Sequence, residues 1–284
     1  MVFVNKLKLH LLGLEGVPNA RELGGYVLPD GGVIRHGLLL RGGSLSNATA
    51  HDKQKMCAKY KVSHVFDFRT DMELKISPDP EIAGAKHTWL PTIDPEMEKL
   101  GTATLPGEAY RNLPVYLSAH ASSPQVQEIA RHIYTDMVVN EYTQLQYAAF
   151  LQSIINTKGG AVYWHCSQGK DRTGLGAAFL LAALGADREL ILADFDLSNV
   201  FYQDEVDALF EKIHGNGGGI EEERVIRTFI GVNTDYFIDA LDLIDKTYGS
   251  LEKYLSEQLC LTDDDRKILK KRYIEYKKYE RLRT

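Results

Sequence analysis

The segment from Ala161 to Leu184 constrains this chain more than any other. Ala161-Val162-Tyr163-Trp164-His165 is a short apolar run behind Gly159 and Gly160, the pattern of a buried strand. After a polar loop, Gly174 to Leu184 (GLGAAFLLAAL) is small or apolar on almost every side. A helix without a polar face must be covered all round, and its small residues let it lie close to a sheet. A strand, a loop and a helix of this kind belong in the interior of an α/β layer structure.

The remaining chain is compatible with that frame. Val33 to Arg41, Val62 to Arg69 and Ala85 to Leu90 read as strands, and Asn47 to Tyr60 as a helix capped by Asn47 or Thr49. Thr92 to Ser122 is irregular, the kind of long loop that serves function or motion. Helix resumes with Pro124 at its first position and Val126, Ile129, Ile133 and Met137 on one face. A second helix covers Tyr142 to Ile155, and from Asp187 onward the pattern is helical throughout. The last helix starts at Thr262, with Asp263, Asp264 and Asp265 at its positive end and Leu269, Tyr273 and Tyr276 facing inward. Gly215 to Gly219 is a flexible joint, and Met1 to Gly16 a strand or pairing segment rather than a signal peptide. This order predicts a central sheet flanked by helices with a helical C-terminal extension, in one domain over residues 1–284.

Composition narrows the partners. With 33 Lys and Arg against 39 Asp and Glu, the net charge of −6 disfavours general affinity for nucleic acid or anionic lipid. Any bound anion must therefore meet a local positive site. Three cysteines without a CxxC pair argue against a disulfide framework and against a structural zinc site. No run of about 18 apolar residues is long enough to span a bilayer. The expectation is a reduced, cytoplasm-made protein with no membrane insertion, for which export without a signal stays open.

The chemistry lies in His165 to Gly174, HCSQGKDRTG. A loop between a strand and a helix can turn successive N–H groups inward, and the helix adds its positive end. Ser167, Gln168, Gly169, Lys170, Asp171 and Arg172 would form this anion cradle, with the planar fork of Arg172 holding two oxygens at once. The same field lowers the pKa of Cys166 by about one to five units and makes it a nucleophile. His165 is expected to order the loop, and Thr173 to donate its hydroxyl to the sulfur. The plain alternative is an accidental spacing around an inert buried cysteine. Competing phosphate motifs are absent: no GxxxxGK[ST], no GxGxxG after a strand, and no HExxH.

HCSQGKDRTG resembles the signature of cysteine-dependent protein-tyrosine phosphatases, and Lys170-Asp171 narrows the likeness to their atypical bacterial branch. Asn19 to Tyr26 (NARELGGY), Phe66 to Arg69 (FDFR) and Asp196 to Asn199 (DLSN) are similar to further segments of that branch. The resemblance implies phosphomonoester hydrolysis through a phosphocysteine intermediate, without a metal or other cofactor. It implies phosphotyrosine, phosphoserine or phosphothreonine proteins, or phosphoinositides, as substrates. It also implies a helical cover over the site within residues 201–245, and Asp171 as the acid that protonates the leaving group.

Other assignments stay open on the residues alone. Asp67, at a strand end, could serve as acid or orient Arg172; Asp136 and Asp94 are weaker acids by position. Lys170 either widens the cradle for multiply charged ligands or pairs with Asp171. Arg69 either attracts phosphate or pairs with Asp67. Arg21 and Glu22, with Gly24 and Gly25, either line the site edge or make a turn. The basic run Lys270, Lys271, Arg272, Lys277 and Lys278 reads as a solvated helix face, with a membrane surface as the alternative. Two competing functions are a rhodanese-type sulfurtransferase, which also uses a cysteine-centred anion loop, and a phospho-ligand binder without catalysis.

Overall fold

The computed structural model describes residues 7–96, 113–214 and 219–276. The expectations placed on Met1 to Lys6, Gly215 to Gly218, Lys277 and Lys278 lie outside the described residues.

In chain order the elements begin β1 (Arg21–Glu22), β2 (Val33–Ile34), β3 (Leu39–Gly42), α1 (Ala50–Ala58), β4 (Val62–Asp67), α2 (Asp71–Ile76) and β5 (Lys86–Trp89). They continue with α3 (Leu113–His120), α4 (Pro124–Val139), α5 (Glu141–Asn156), β6 (Ala161–His165) and α6 (Asp171–Leu184). The helical extension is α7 (Arg188–Asp196), α8 (Asn199–His214), α9 (Ile220–Phe229), α10 (Thr234–Tyr248), α11 (Leu251–Glu257) and α12 (Asp263–Tyr273), followed by β7 (Ile274–Glu275).

The main sheet has the order β1-β3-β6-β4-β5. Strands β3, β6, β4 and β5 are parallel, and β1 runs antiparallel at one edge. Register places Gly42 and Asp67 on either side of His165, so three strands end together. In an open parallel sheet, the loops leaving the carboxyl ends of the strands are where ligands bind. The buried run that made Ala161–His165 look like a central strand has this cause: both its faces are covered. On one side Trp164 packs with Phe66, Phe68, Phe150 and the wholly buried flank of α6. On the other, Tyr163 packs with Leu40, Val65, Met56 and Ile82.

Gly174 and Gly176 in α6 show why that helix is rich in small residues. A Cβ at Gly174 would lie 2.7 Å from the Phe195 ring, and one at Gly176 would lie 3.0 Å from Phe68. Tyr134, Phe195 and Phe237 then knit α4, α7 and α10 together, the two phenylalanines stacked at 3.8 Å.

The structure departs from the sequence reading in four places. VIRHGLLLR is two strands, because Gly37, at φ +73°, turns the chain between β2 and β3. The irregular stretch before Ser123 contains α3. Helix α2 falls within what had no assigned element, although Thr70 and Glu73 make a reciprocal capping box at its start. Helix α12 ends at Tyr273, so Tyr276 faces solvent and donates its hydroxyl to Asp30 Oδ2 at 2.9 Å, while Ile274–Glu275 pairs with β2. Thr262 caps α12 through a box with Asp265, as its acids suggest. Arg272 of the basic run donates to the last carbonyls of α5, from Ile154 and Ile155. No helix among the described residues is long and apolar enough to cross a membrane.

Candidate active site

The loop joining β6 to α6 is held by its carbonyls. His165 Nδ1 donates to Cys166 O (3.1 Å), Ser44 N–H to Ser167 O (3.0 Å), and Tyr202 OH to Gln168 O (2.6 Å). Asn19 Nδ2 and Arg41 Nη2 both donate to Gly169 O, at 2.8 and 3.0 Å, and Arg41 reaches Lys170 O at 3.3 Å. Every carbonyl from Cys166 to Lys170 thus has a donor. The N–H groups of Ser167, Gln168, Gly169 and Lys170, in contrast, donate to no protein group among the described residues. Buried N–H groups are rarely left unpaired, and a run of them forms a concavity for an anion. Gly169, at φ +70°, makes the bend, and a Cβ there would overlap Gly42 at 2.1 Å. Only glycine fits.

Cys166 lies in this turn, 2% exposed. Burial works against the thiolate, but the charge of Arg172 and the hydroxyl and amide of Thr173 outweigh it, so the thiol sits below its ordinary value. The Thr173 hydroxyl has no oxygen or nitrogen partner among the described residues. The Arg172 guanidinium, its side chain 11% exposed, is gripped by Glu73: Nη1 to Oε2 at 2.6 Å and Nη2 to Oε1 at 2.7 Å. Glu73 also accepts from Ser167 Oγ and, at 2.8 Å, from the Thr70 N–H. Burial opposes ionisation of Glu73, yet Arg172 and these donors bring its pKa down to about 2. The sequence reading missed this residue; the capping signal T-D-M-E at Thr70–Glu73 is what could have found it.

Asp67 is engaged elsewhere. Arg69 Nε and Nη2 bind both its oxygens at 2.6 to 3.1 Å, and Arg69 Nη2 also contacts Asp79 Oδ2 at 2.9 Å. Burial raises the Asp67 carboxyl, but His165 and Arg69 prevail and hold it below the usual range. His165 is buried, which disfavours its charge; Asp67 and Asp79 overcome this and raise it. Its Nε2 lies 3.0 Å from Asp79 Oδ2, an ion pair by distance without hydrogen-bond alignment. Asp136 is an exposed residue of α4, and Asp94 is held by Glu96 N–H and Asn140.

Lys170 and Asp171 are in contact, but each has a closer partner elsewhere. Lys170 Nζ donates to three carbonyls at the end of α9 and just beyond: Thr228 (3.0 Å), Phe229 (2.7 Å) and Gly231 (2.6 Å). Its contact with Asp171 is longer, 3.4 Å. Asp171 begins α6 with its side chain 17% exposed, and Oδ1 accepts from Tyr134 OH at 2.7 Å. The loop is thereby fastened to α4 and α9, both part of the helical layer above it.

Arg21 is wholly buried and donates to Asn19, Asp194 and Ser198. Arg21 and Arg41, both wholly buried, share Asp194: Arg41 Nη1 at 2.5 Å and Arg21 Nε at 3.4 Å, with Tyr26 OH at 2.9 Å. Burial raises the Asp194 carboxyl, but the two guanidiniums and the Tyr26 hydroxyl outweigh it and hold it below the usual carboxylate range. Asp194→Asn would leave two buried cations sharing a neutral amide. We expect a loss of about 3–5 kcal/mol in unfolding free energy, read from urea melts.

A thiol activated by an arginine in a strand–loop–helix turn of free amides fits the chain's family. The tyrosine phosphatase family pattern matches residues 12–275, and the chain belongs to that family. Among relatives, a protein of Cupriavidus necator provisionally named a tyrosine-protein phosphatase is 29% identical over 252 residues, covering 88% of this chain and 84% of that protein. The triple specificity protein phosphatase PtpB of Mycobacterium tuberculosis is 27% identical over 244 residues, covering 79% of this chain and 87% of that protein.

Proposed function

We propose that the protein hydrolyses phosphate monoesters through a phosphocysteine intermediate. The observation that carries the reading is the loop whose carbonyls are all engaged and whose amides are free, around a thiol lowered by Arg172. The Cys166 thiolate attacks phosphorus, forming the S–P bond as the P–O bond to the alcohol or phenol breaks. The loop amides and Arg172 hold the equatorial oxygens as their charge develops. Asp171 gives its proton to the leaving oxygen. Water then attacks phosphorus, Asp171 recovers a proton from it, and the S–P bond breaks with the Thr173 hydroxyl supporting the departing sulfur. Asp67, saturated by Arg69, is the poorer acid and instead fixes the strand end.

The domain reading is one phosphatase unit with a cover within residues 201–245, where most of α8, α9 and α10 lies. Phosphotyrosine proteins are the first substrate class. Phosphoserine and phosphothreonine proteins and phosphoinositides are the further classes that the sequence resemblance implies, and the mycobacterial relative is named a triple specificity protein phosphatase.

The test is a panel of phosphopeptides and phosphoinositides with wild type, Asp171→Asn, Asp67→Asn and Lys170→Ala. Asp171→Asn should lower kcat on aryl phosphates by about 10^2–10^4-fold, and rapid quench of the wild type with labelled ester should trap label on Cys166. Turnover of thiosulfate and cyanide in place of esters would show a sulfurtransferase. Tight ester binding without turnover would show a binding protein.

A further inference from the structure

We infer that His10, Glu22 and His36 form a binding site for a divalent transition-metal ion of the zinc class, apart from the thiol chemistry. The ligating atoms of the three residues lie within 4.8 Å of one another. Two imidazoles and one carboxylate suit zinc, with metal–ligand distances near 2.0–2.2 Å. Glu22 Oε1 lies 3.1 Å from His36 Nδ1, close to the edge length of a tetrahedral shell. Glu22 Oε2 accepts from the Gly37 N–H, which orients the carboxylate from behind and leaves Oε1 forward. The His10 and His36 rings meet edge to face at 4.9 Å. The His10 ring has no hydrogen-bond partner among the described residues.

The two glycines of NARELGGY make this approach feasible. A Cβ at Gly24 would strike Glu22 Oε2 at 2.4 Å and His36 Cα at 2.6 Å. A Cβ at Gly25, whose φ is +87°, would meet His36 Cε1 at 2.9 Å and His10 Nε2 at 3.1 Å. The bare backbone therefore lets three side chains, from the N-terminal segment, β1 and the β2–β3 turn, converge over it.

A second cluster with the same spacing shows what such a site must avoid. Asp67, Asp79 and His165 also bring their ligand atoms within 4.8 Å. There, however, Arg69 already bridges the two carboxylates and His165 carries a raised pKa, so the negative charge is spent on resident cations. The trio at Glu22 has one carboxylate and no lysine or arginine bonded to it among the described residues. It retains charge for a dication. A bound ion would tie the N-terminal segment to β1.

The experiment is isothermal titration of the full chain with Zn2+, in a Cys166→Ser background that removes the active-site thiol as a competing ligand. One ion per chain is expected, with affinity lowered at least about tenfold by His36→Ala and by Glu22→Gln and unchanged by His51→Ala. His36 has a side chain 55% exposed, so its removal spares the fold. Co2+ in place of Zn2+ should give visible d–d absorption without a thiolate charge-transfer band. Absence of stoichiometric Zn2+ binding overturns the inference, as does binding indifferent to both His36→Ala and Glu22→Gln, or a cobalt spectrum showing sulfur ligation. None of these readouts depends on phosphatase turnover.

Discussion

Replacing Cys166 by serine is expected to lower kcat/KM on an aryl phosphate by about 10^5-fold or more, with the fold retained. The side chains are nearly isosteric, so the packing around position 166 survives. What changes is ionisation. The charge of Arg172 and the Thr173 donors favour the ionised form of a thiol, whereas an aliphatic hydroxyl, far weaker as an acid, gains little from the same field. Steady-state kinetics beside circular dichroism and a thermal melt make the check. A variant within tenfold of the wild type would remove sulfur from the mechanism.

Arg172→Lys is the second large effect, about 10^3-fold or more in kcat/KM. Lysine keeps the charge but not the fork. In the protein both Nη atoms are committed to the two oxygens of Glu73, which fixes the plane of the guanidinium. A lysine would satisfy one oxygen and present a point charge to the loop. Inhibition by inorganic phosphate should weaken together with turnover, since both depend on bidentate oxygen contacts. The Glu73 side of the pair also has a pH signature. Its pKa is lowered from 4.5 to about 2, so its stabilising contribution is complete above pH 4.5 and disappears only as pH falls toward 2.

The architecture of the sheet was largely legible because its signals are local. An apolar run flanked by glycines marked β6, and an all-apolar helix marked the layer it packs in. Thr49 and Thr262 announced helix starts through caps that the structure contains. The residues of the β6–α6 loop could be read as one unit because they are contiguous in HCSQGKDRTG. What stayed hidden is what lies far away in sequence but touches in space. Arg41 contacts Gly169 across 128 positions, and Glu73 grips Arg172 across 99. No periodicity or spacing encodes such pairs. The sequence likewise showed that Lys170 was unusual without revealing which way its ammonium points; only the fold brings the end of α9 within reach.

That direction has a consequence for any movement of the end of α9 relative to the loop. The Lys170 ammonium substitutes three peptide oxygens for its hydration shell. Sliding residues 228–231 away without Lys170 would strand a desolvated cation and three unmet acceptors at once. The low-cost routes are therefore concerted ones, in which Lys170 travels with its carbonyls or solvent enters as they part. Parting the end of α9 from the loop thus requires rehydration of a single amine.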